Sequence, residues 1–172
     1  VPVVAVDQVA GAAAATRHLL ELGHRRIAVL TPNRPSTPDR PAETHVGVEA
    51  GRLGLDVRLV TSPHALAGAT ACAATVLAEA DRPSAVFCFA DSIAYGVYAA
   101  ARQLGLEIPR DVSVMGYDSH PMSALLSPAL TTVDWDLDGI VRQAASLAVE
   151  GRIHHRRFVR SPRLWVREST SA

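Results

Sequence analysis

Short apolar runs alternate with longer stretches of helical character, and this alternation restricts the fold more than any other feature of the chain. Each run has the length of a strand and is almost continuously hydrophobic, as in strands buried on both faces. Five such runs occur: VPVVAV (1–6), IAVLT (27–31), VRLVT (57–61), SAVFCFA (84–90) and VSVMGY (112–117). Helical patterns cover 10–22, about 42–53, 66–80 and 92–105. Units of this kind predict an α/β fold: an open parallel sheet flanked by helices on both faces.

The composition excludes several classes of protein. The chain has 172 residues and a formal net charge of zero, which argues against nucleic-acid binding by these residues alone. All 17 basic residues are arginine, so chemistry that requires a lysine is excluded. Cys72 and Cys88 lack a C-x-x-C spacing and are interpreted as free thiols, which favours a reducing, cytoplasmic location. No run of apolar residues is long enough to predict a transmembrane helix, so no membrane partner is expected.

Three of the predicted strands end in an aspartate: Asp7, Asp91 and Asp118. The carboxyl ends of parallel strands share one edge of a sheet, where ligands bind in open α/β folds, so we expect the three carboxylates at one rim. Asp7 and Asp91 each precede a helix and have an alternative role as its N-cap. After Asp118, the hydroxyl of Ser119 is available for capping, which leaves the Asp118 carboxylate for a ligand.

Four longer motifs follow one another in a fixed order: HLLELGHRRIAVL (18–30), the run from RPSAVFCFAD to VSVMGYD (82–118), SPALTTVDWDLDGI (127–140) and RLWVREST (163–170). In this order they resemble the effector-binding core of the lactose-repressor/galactose-repressor (LacI/GalR) family of bacterial transcription regulators. The resemblance implies a periplasmic-binding-protein-like core of type I, with two lobes behind a DNA-reading helix-turn-helix. Periplasmic sugar-binding proteins share that fold, but the closing VREST favours the regulators.

The resemblance covers the C-terminal lobe of such a core. It implies that residues 1–128 form this lobe, that 129–157 are a return segment belonging to the N-terminal lobe, and that 158–172 return to the C-terminal lobe. No helix-turn-helix is recognised, and the chain begins without methionine, so we interpret it as a fragment or a processed chain. Operator DNA is then expected as a partner only through an N-terminal domain outside these residues.

The resemblance also implies residues that bind a small-molecule effector, a sugar or another small metabolite. Asp118 is the aspartate of the GYD motif, whose carboxylate accepts hydrogen bonds from ligand hydroxyls. Arg40 matches a ligand-gripping arginine, the alternative being a surface arginine in a proline-rich loop. Trp135 lies near the hinge and the pocket of relatives, where its ring stacks on a sugar or packs between the lobes. Relatives often carry Asn-Asp where this chain has Ala90 and Asp91, so one amide partner for a sugar hydroxyl is missing here.

Relatives dimerise side by side through this lobe, which implies a homodimer. The corresponding residues are Tyr95, Tyr98, Met122 and Leu125, which we expect to form an exposed apolar patch; the alternative is that they fill the core of a single protomer. The segment 136–151 has an apolar stripe at helical spacing. We expect this stripe to dock on a neighbouring molecule or to fold back on its own lobe; the alternative is that residues 130–153 are poorly ordered, because a lone helix of this length is marginal in water.

Enzymatic and metal-binding functions find little support. No G-x-S-x-G nucleophile elbow or other catalytic constellation is recognised, so we expect neither an enzyme nor a cofactor. His154 and His155 are adjacent and point to opposite sides of an extended segment, so we expect no metal site. The arginine-rich stretch 154–163 is interpreted as a solvated loop. Two functions remain: the sensor core of a transcription regulator, and a periplasmic sugar- or solute-binding protein of a transport system.

Overall fold

The computed structural model describes residues 3–32, 46–47, 50–149 and 157–172. Its strands are β1 (Val3–Val6), β2 (Arg26–Pro32), β3 (Asp56–Ser62), β4 (Ala85–Cys88), β5 (Ser113–Tyr117), β6 (Thr131–Asp134), β7 (Arg157–Arg160) and β8 (Arg163–Trp165). Its helices are α1 (Gln8–Glu21), α2 (Leu66–Leu77), α3 (Asp91–Gln103) and α4 (Leu137–Val149), with a short 3-10 helix at Pro121–Ala124. Much of the predicted helix at 42–53 lies outside the described residues. Among the helices that are described, none has both the length and the apolar character needed to cross a bilayer.

Six strands form the main sheet, in the order β3-β2-β4-β5-β6-β8. The first five are parallel to one another, and β8 pairs antiparallel with β6. Successive side chains of β2 enter opposite layers: Ile27 and Val29 pack in the cluster that contains α1, whereas Ala28 and Leu30 pack with α2 and α3. Both faces are therefore covered by helices, and the predicted α/β class is confirmed.

Strand β1 does not belong to the main sheet. It pairs in parallel with β7 to form a separate two-stranded sheet. The expectation that residues 1–6 form the first strand of the main sheet is therefore wrong. A continuous apolar run predicts burial on both faces, but it carries no information about which strand is the neighbour. The interpretation of 154–163 as a loop is also wrong for residues 157–160, which form β7.

Residues 131–134, which the resemblance assigned to the return segment, form β6 inside the main sheet. The chain leaves that sheet directly after β6 and enters α4, which lies against β1. The helix predicted at 136–151 is thus present and folds back on its own chain. Of the predicted stripe, Leu147 is buried, whereas Val141, Ala144 and Ala148 stay exposed, so only part of it is covered.

Candidate functional site

A cavity of about 710 Å³ opens at the carboxyl edge of the main sheet. Its walls come from residues that follow β3, β4, β5 and β6, and from the start of α1. The lining residues are Gln8, His64, Phe89, Ala90, Tyr117, Asp118, Ser119, His120, Pro121, Asp134, Trp135, Asp136, Leu137 and Asp138. This is where open α/β sheets bind ligands, and the volume is in the range of small-molecule sites.

The turn after β5 brings Asp118 to the cavity wall. Asp118 and Ser119 both have positive φ angles, 118° and 53°, which residues other than glycine seldom adopt. Two hydrogen bonds from the backbone hold this turn: the Asp118 N–H donates to the Val133 carbonyl at 2.9 Å, and the Ser119 N–H donates to Thr132 Oγ1 at 3.3 Å. The structure therefore places Asp118 in the cavity, at the carboxyl end of its strand.

The turn after β6 brings Trp135 to the same cavity, between two aspartates that also line it. Asp134 Oδ1 accepts a hydrogen bond from the Asp136 N–H at 2.7 Å, which closes the turn around Trp135. Asp134 Oδ2 accepts a second bond from the indole N–H of Trp165 at 3.1 Å. Since β5 and β6 are neighbours, their two turns place Asp118 and Trp135 in one lining.

Asp136 connects the cavity to the two-stranded sheet. Its Oδ1 accepts a hydrogen bond from the Gly139 N–H at 3.1 Å, so Asp136 is the N-cap of α4. Its Oδ2 accepts a hydrogen bond from Arg160 Nε at 2.9 Å and forms an ion pair with the same guanidinium. The hydrogen bond from Arg160 holds the pKa of Asp136 below its usual value, so this carboxyl group stays ionised.

Asp91 is not on the cavity wall. Its side chain is only 1% exposed and accepts three hydrogen bonds: from the Ser123 hydroxyl at 2.6 Å, the Thr132 hydroxyl at 2.7 Å and the His120 N–H at 2.8 Å. The N-cap of α3 is Ala90, without a side-chain bond, so the expected capping role of Asp91 is wrong as well. Burial raises the pKa of the Asp91 carboxyl group.

Asp7 is not a lining residue either, and its strand β1 is not in the main sheet. The alternative role predicted for Asp7 is confirmed: it is the N-cap of α1 and accepts a hydrogen bond from the Ala10 N–H at 2.9 Å. The next residue, Gln8, lines the cavity instead. Arg40, His154 and His155 lie outside the described residues. Among those that are described, no group of three or more His, Cys, Asp and Glu residues is arranged to hold a metal ion.

A family model described as a periplasmic binding protein-like domain matches residues 16–170. This chain belongs to that family. The regulator MalR of Streptomyces coelicolor, of the helix-turn-helix type, is 35% identical over 182 residues, which cover 99% of this chain and 52% of that protein. This periplasmic binding protein-like chain therefore spans about half the length of that relative.

Two solved structures have the same fold. A LacI family regulator from Arthrobacter sp. FB24, in complex with lactose, has a TM-score of 0.87 and 28% identity, covering 98% of this chain and 66% of that one. A LacI family regulator from Enterococcus faecium, with bound ribose, has a TM-score of 0.82 and 27% identity, covering 98% of this chain and 65% of that one. These three similar proteins are transcription regulators, and the resemblance of this periplasmic binding protein-like chain to the LacI/GalR family is confirmed.

The four residues expected at a dimer interface separate into two pairs. Tyr95 and Tyr98 are partly buried against the core, and their hydroxyls bond within the chain: Tyr95 Oη to Ser123 Oγ and Tyr98 Oη to the Pro128 carbonyl, each at 2.9 Å. Burial raises the pKa of both tyrosines. Met122 and Leu125 are exposed, with 50% and 76% of their surface accessible. The alternative of core packing applies to the tyrosines, and an exposed patch remains only at Met122 and Leu125.

Several lining residues were missed in the sequence, although a usable signal was present. His64 follows β3, Tyr117 ends β5, and Asp134, Asp136 and Asp138 stand at or just after the end of β6. The apolar residues before the DWD stretch at 134–136 were not predicted as a strand, so the rule that selected Asp118, a polar residue at the carboxyl end of a predicted strand, was not applied to Asp134 and Asp136. Only Trp135 was selected there, through the family resemblance.

Proposed function

We propose that this chain is the effector-sensing core of a LacI-type transcription regulator, and that a small-molecule effector binds in the cavity at the carboxyl edge of the main sheet. The observation that carries the proposal is the shared lining by Asp118 and Trp135, from two adjacent strands. A carboxylate accepts hydrogen bonds from hydroxyl groups, and an indole ring packs on the apolar face of a sugar. The lactose and ribose in the two similar regulator structures support a sugar or a related metabolite.

The wider assignment belongs to the same proposal. We propose a cytoplasmic homodimer without enzymatic activity that reaches operator DNA through a helix-turn-helix domain outside these residues, with Arg40 as a further ligand contact. We also propose two lobes: one built on the main sheet, which contains β2 to β6 and β8, and a second to which β1, α4 and β7 belong. The separate pairing of β1 with β7 supports this division.

A periplasmic solute-binding protein is the second candidate, since it shares both the fold and the position of the pocket. The relatives favour the regulator, because those reported above are transcription regulators. The two candidates predict the same cavity, so a binding experiment tests the cavity for both.

A thermal-shift screen tests the proposal directly. The panel contains lactose, ribose, other mono- and disaccharides, nucleosides and small organic acids. A ligand that binds only the native state stabilises it by mass action, so at least one compound is expected to raise the melting temperature in a concentration-dependent way. A panel in which no compound at millimolar concentration shifts the melting temperature contradicts the proposal.

The substitution Asp118→Asn tests the site within that screen. Asparagine tolerates the positive φ at this position, so the change removes the charge with little strain in the backbone. We expect the affinity of the stabilising compound to fall about tenfold or more, the scale of a lost hydrogen bond to a charged group. Asp56→Asn is the control, because Asp56 is exposed at the amino end of β3, at the opposite edge of the sheet. Equal affinities of both variants in calorimetry count against the assigned role.

A further inference from the structure

We propose that Asp91 is a positioning residue for this cavity: from beneath the wall, its carboxylate holds the turn Asp118–His120 in the shape that faces the ligand. The proposal rests on the proposed function where it speaks of a ligand. The placement of the turn itself can be tested without one. Asp91 does not touch the cavity, so its role differs from that of Asp118 and Trp135.

The turn needs such support because its backbone is strained. Asp118 and Ser119 are consecutive residues with positive φ, and neither is glycine. Conformations of this kind persist only where the surrounding contacts over-determine them. The Asp118 N–H is held by β6 through the Val133 carbonyl. The next two N–H groups, of Ser119 and His120, both lead to Asp91.

Ser119 is linked to Asp91 through one hydroxyl. Its N–H donates to Thr132 Oγ1 at 3.3 Å, and the Thr132 hydroxyl donates in turn to Asp91 Oδ1 at 2.7 Å. Since Thr132 Oγ1 accepts from Ser119, its own hydrogen points to the carboxylate. A relay of two donors therefore runs from the cavity turn to Asp91.

His120 is linked to Asp91 directly, and Ser123 reinforces the link. The His120 N–H donates to Asp91 Oδ2 at 2.8 Å, and the Ser123 hydroxyl donates to the same oxygen at 2.6 Å. The Tyr95 hydroxyl lies 2.9 Å from Ser123 Oγ, so Ser123 contacts both Tyr95 and the carboxylate. All three direct partners of Asp91 are donors, which matches the acceptor-only chemistry of an ionised carboxylate.

Strand β5 leaves space for the Asp91 carboxylate at Gly116. A Cβ at Gly116 would collide with Asp91 Oδ1, so the glycine of the GYD motif provides the space for Asp91 against β5. A carboxylate that is 1% exposed is costly to bury unless its oxygens are hydrogen-bonded. Two of its three partners, Thr132 and His120, lie in or next to the cavity turn, so the hydrogen bonds that compensate the burial of Asp91 also hold that turn.

Adjacent threonines on β6 give a matched pair of variants. Thr132→Val deletes the relay between Ser119 and Asp91 and keeps the side-chain shape. Thr131→Val makes the same change at an equally buried position, but Thr131 Oγ1 contacts Thr170 and the Arg167 N–H, away from the cavity turn. Thr132→Ser retains the hydroxyl and is the rescue variant. Asp91→Asn is a further variant, and the threonine set decides the outcome if Asp91→Asn does not fold.

The deciding measurement is amide hydrogen exchange, compared with exchange at Val114 and Val86 as a record of global stability. In Thr132→Val, we expect the Ser119 amide to exchange about tenfold faster than in the wild type, the scale of one lost hydrogen bond. Thr131→Val and Thr132→Ser are expected to leave Ser119 at the wild-type rate once the global change is subtracted. Unchanged exchange at Ser119 in Thr132→Val, or an equal increase in Thr131→Val, overturns the proposal.

Calorimetry with lactose and ribose separates the positioning role from the proposed function. If the wild type binds either sugar, Thr132→Val is expected to weaken binding about tenfold, whereas Thr131→Val binds as the wild type does. Equal affinity of both threonine variants overturns the effect on the ligand. If neither sugar binds the wild type while the exchange pattern holds, the positioning of the turn is supported and the choice of these sugars as effectors fails.

Discussion

His18 on α1 and His24 just before β2 hold the C-terminal residues Thr170 and Ser171 through hydrogen bonds. His18 Nε2 lies 3.0 Å from Thr170 Oγ1. His24 has two contacts: its Nδ1 lies 2.9 Å from Ser84 Oγ, and its Nε2 lies 3.1 Å from the Ser171 carbonyl oxygen. A neutral His24 satisfies both contacts when Nε2 carries the hydrogen and Nδ1 accepts from Ser84. Burial is the main cause that lowers the pKa of both histidines.

These histidines predict how stability changes in mild acid. Both have a lower pKa in the folded state than the ordinary value of 6.5, so the unfolded chain binds more protons just below that value. Their contribution is therefore complete above about pH 6.5 and is lost as the pH falls through the folded pKa values. We expect the urea midpoint to fall between about pH 7.5 and 5.5, and the fall to be smaller in the double variant His18→Gln/His24→Gln.

The control for the histidine pair is His64→Gln, since His64 is exposed at the cavity. This variant is expected to keep the wild-type dependence on pH. A double variant with the same loss of stability in acid as the wild type would show that His18 and His24 do not cause it.

The contrast between Asp118 and Asp91 shows what a sequence reveals at single positions. Both follow an apolar strand, and strand order places both at the carboxyl edge of the sheet. Whether the side chain faces the cavity or turns under the next loop depends on contacts distant in the chain, such as Thr132 and Ser123 for Asp91. Only Asp118 could be placed correctly, because the local pattern contains no information about those partners.

At the scale of elements, Arg160 lies where the chain passes between the two sheets, which happens three times. The chain passes from β1 to α1 at Asp7, from β6 to α4 through Asp136, and from β7 to β8 after Arg160. The Arg160 carbonyl accepts the Asp7 N–H at 2.9 Å, and its guanidinium binds Asp136. One residue thus contacts all three connections.

Arg160→Met tests this junction. The change leaves Asp136 without its cationic partner, so we expect the start of α4 to loosen and its amides at 138–149 to exchange faster. Arg110→Met is the control, since Arg110 forms an exposed ion pair with Glu107 and contacts Asp111, away from α4. Exposed pairs contribute little, so the control is expected to leave α4 unchanged. Equal exchange across α4 in Arg160→Met and the wild type would contradict the assigned junction.

Most elements were visible in the sequence because strand-length apolar runs and helical spacing are local signals. Strands β2 to β5 and helices α1 to α4 lie where these signals predict them. The pairing of β1 with β7 was not predictable, because about 150 residues separate the two strands and a local pattern does not encode strand partners. The arginine-rich β7 also lacks the continuous apolar character of a buried strand, which is why it was interpreted as a loop.

At the scale of the whole molecule, Met122 and Leu125 form an exposed patch beside the cavity turn. If the homodimer forms through this patch, Leu125→Asp places a charge in the interface. We therefore expect this variant to dissociate to monomers, as measured by analytical ultracentrifugation. Leu59→Asp is the control: Leu59 is 54% exposed on β3, at the far edge of the sheet. A wild-type protein that is monomeric at high concentration, or a Leu125→Asp variant that remains dimeric, rules out this interface.

The central claim is that the effector binds at the carboxyl edge of the main sheet, between the turns after β5 and β6. An NMR titration of the isotope-labelled protein with the stabilising compound from the screen tests it most directly. We predict that shift changes concentrate at residues 118–120 and 134–138 and at the indole N–H of Trp135. Changes confined to another surface, such as the shallow groove formed by Leu66 and Ala99 on α2 and α3, would contradict the account.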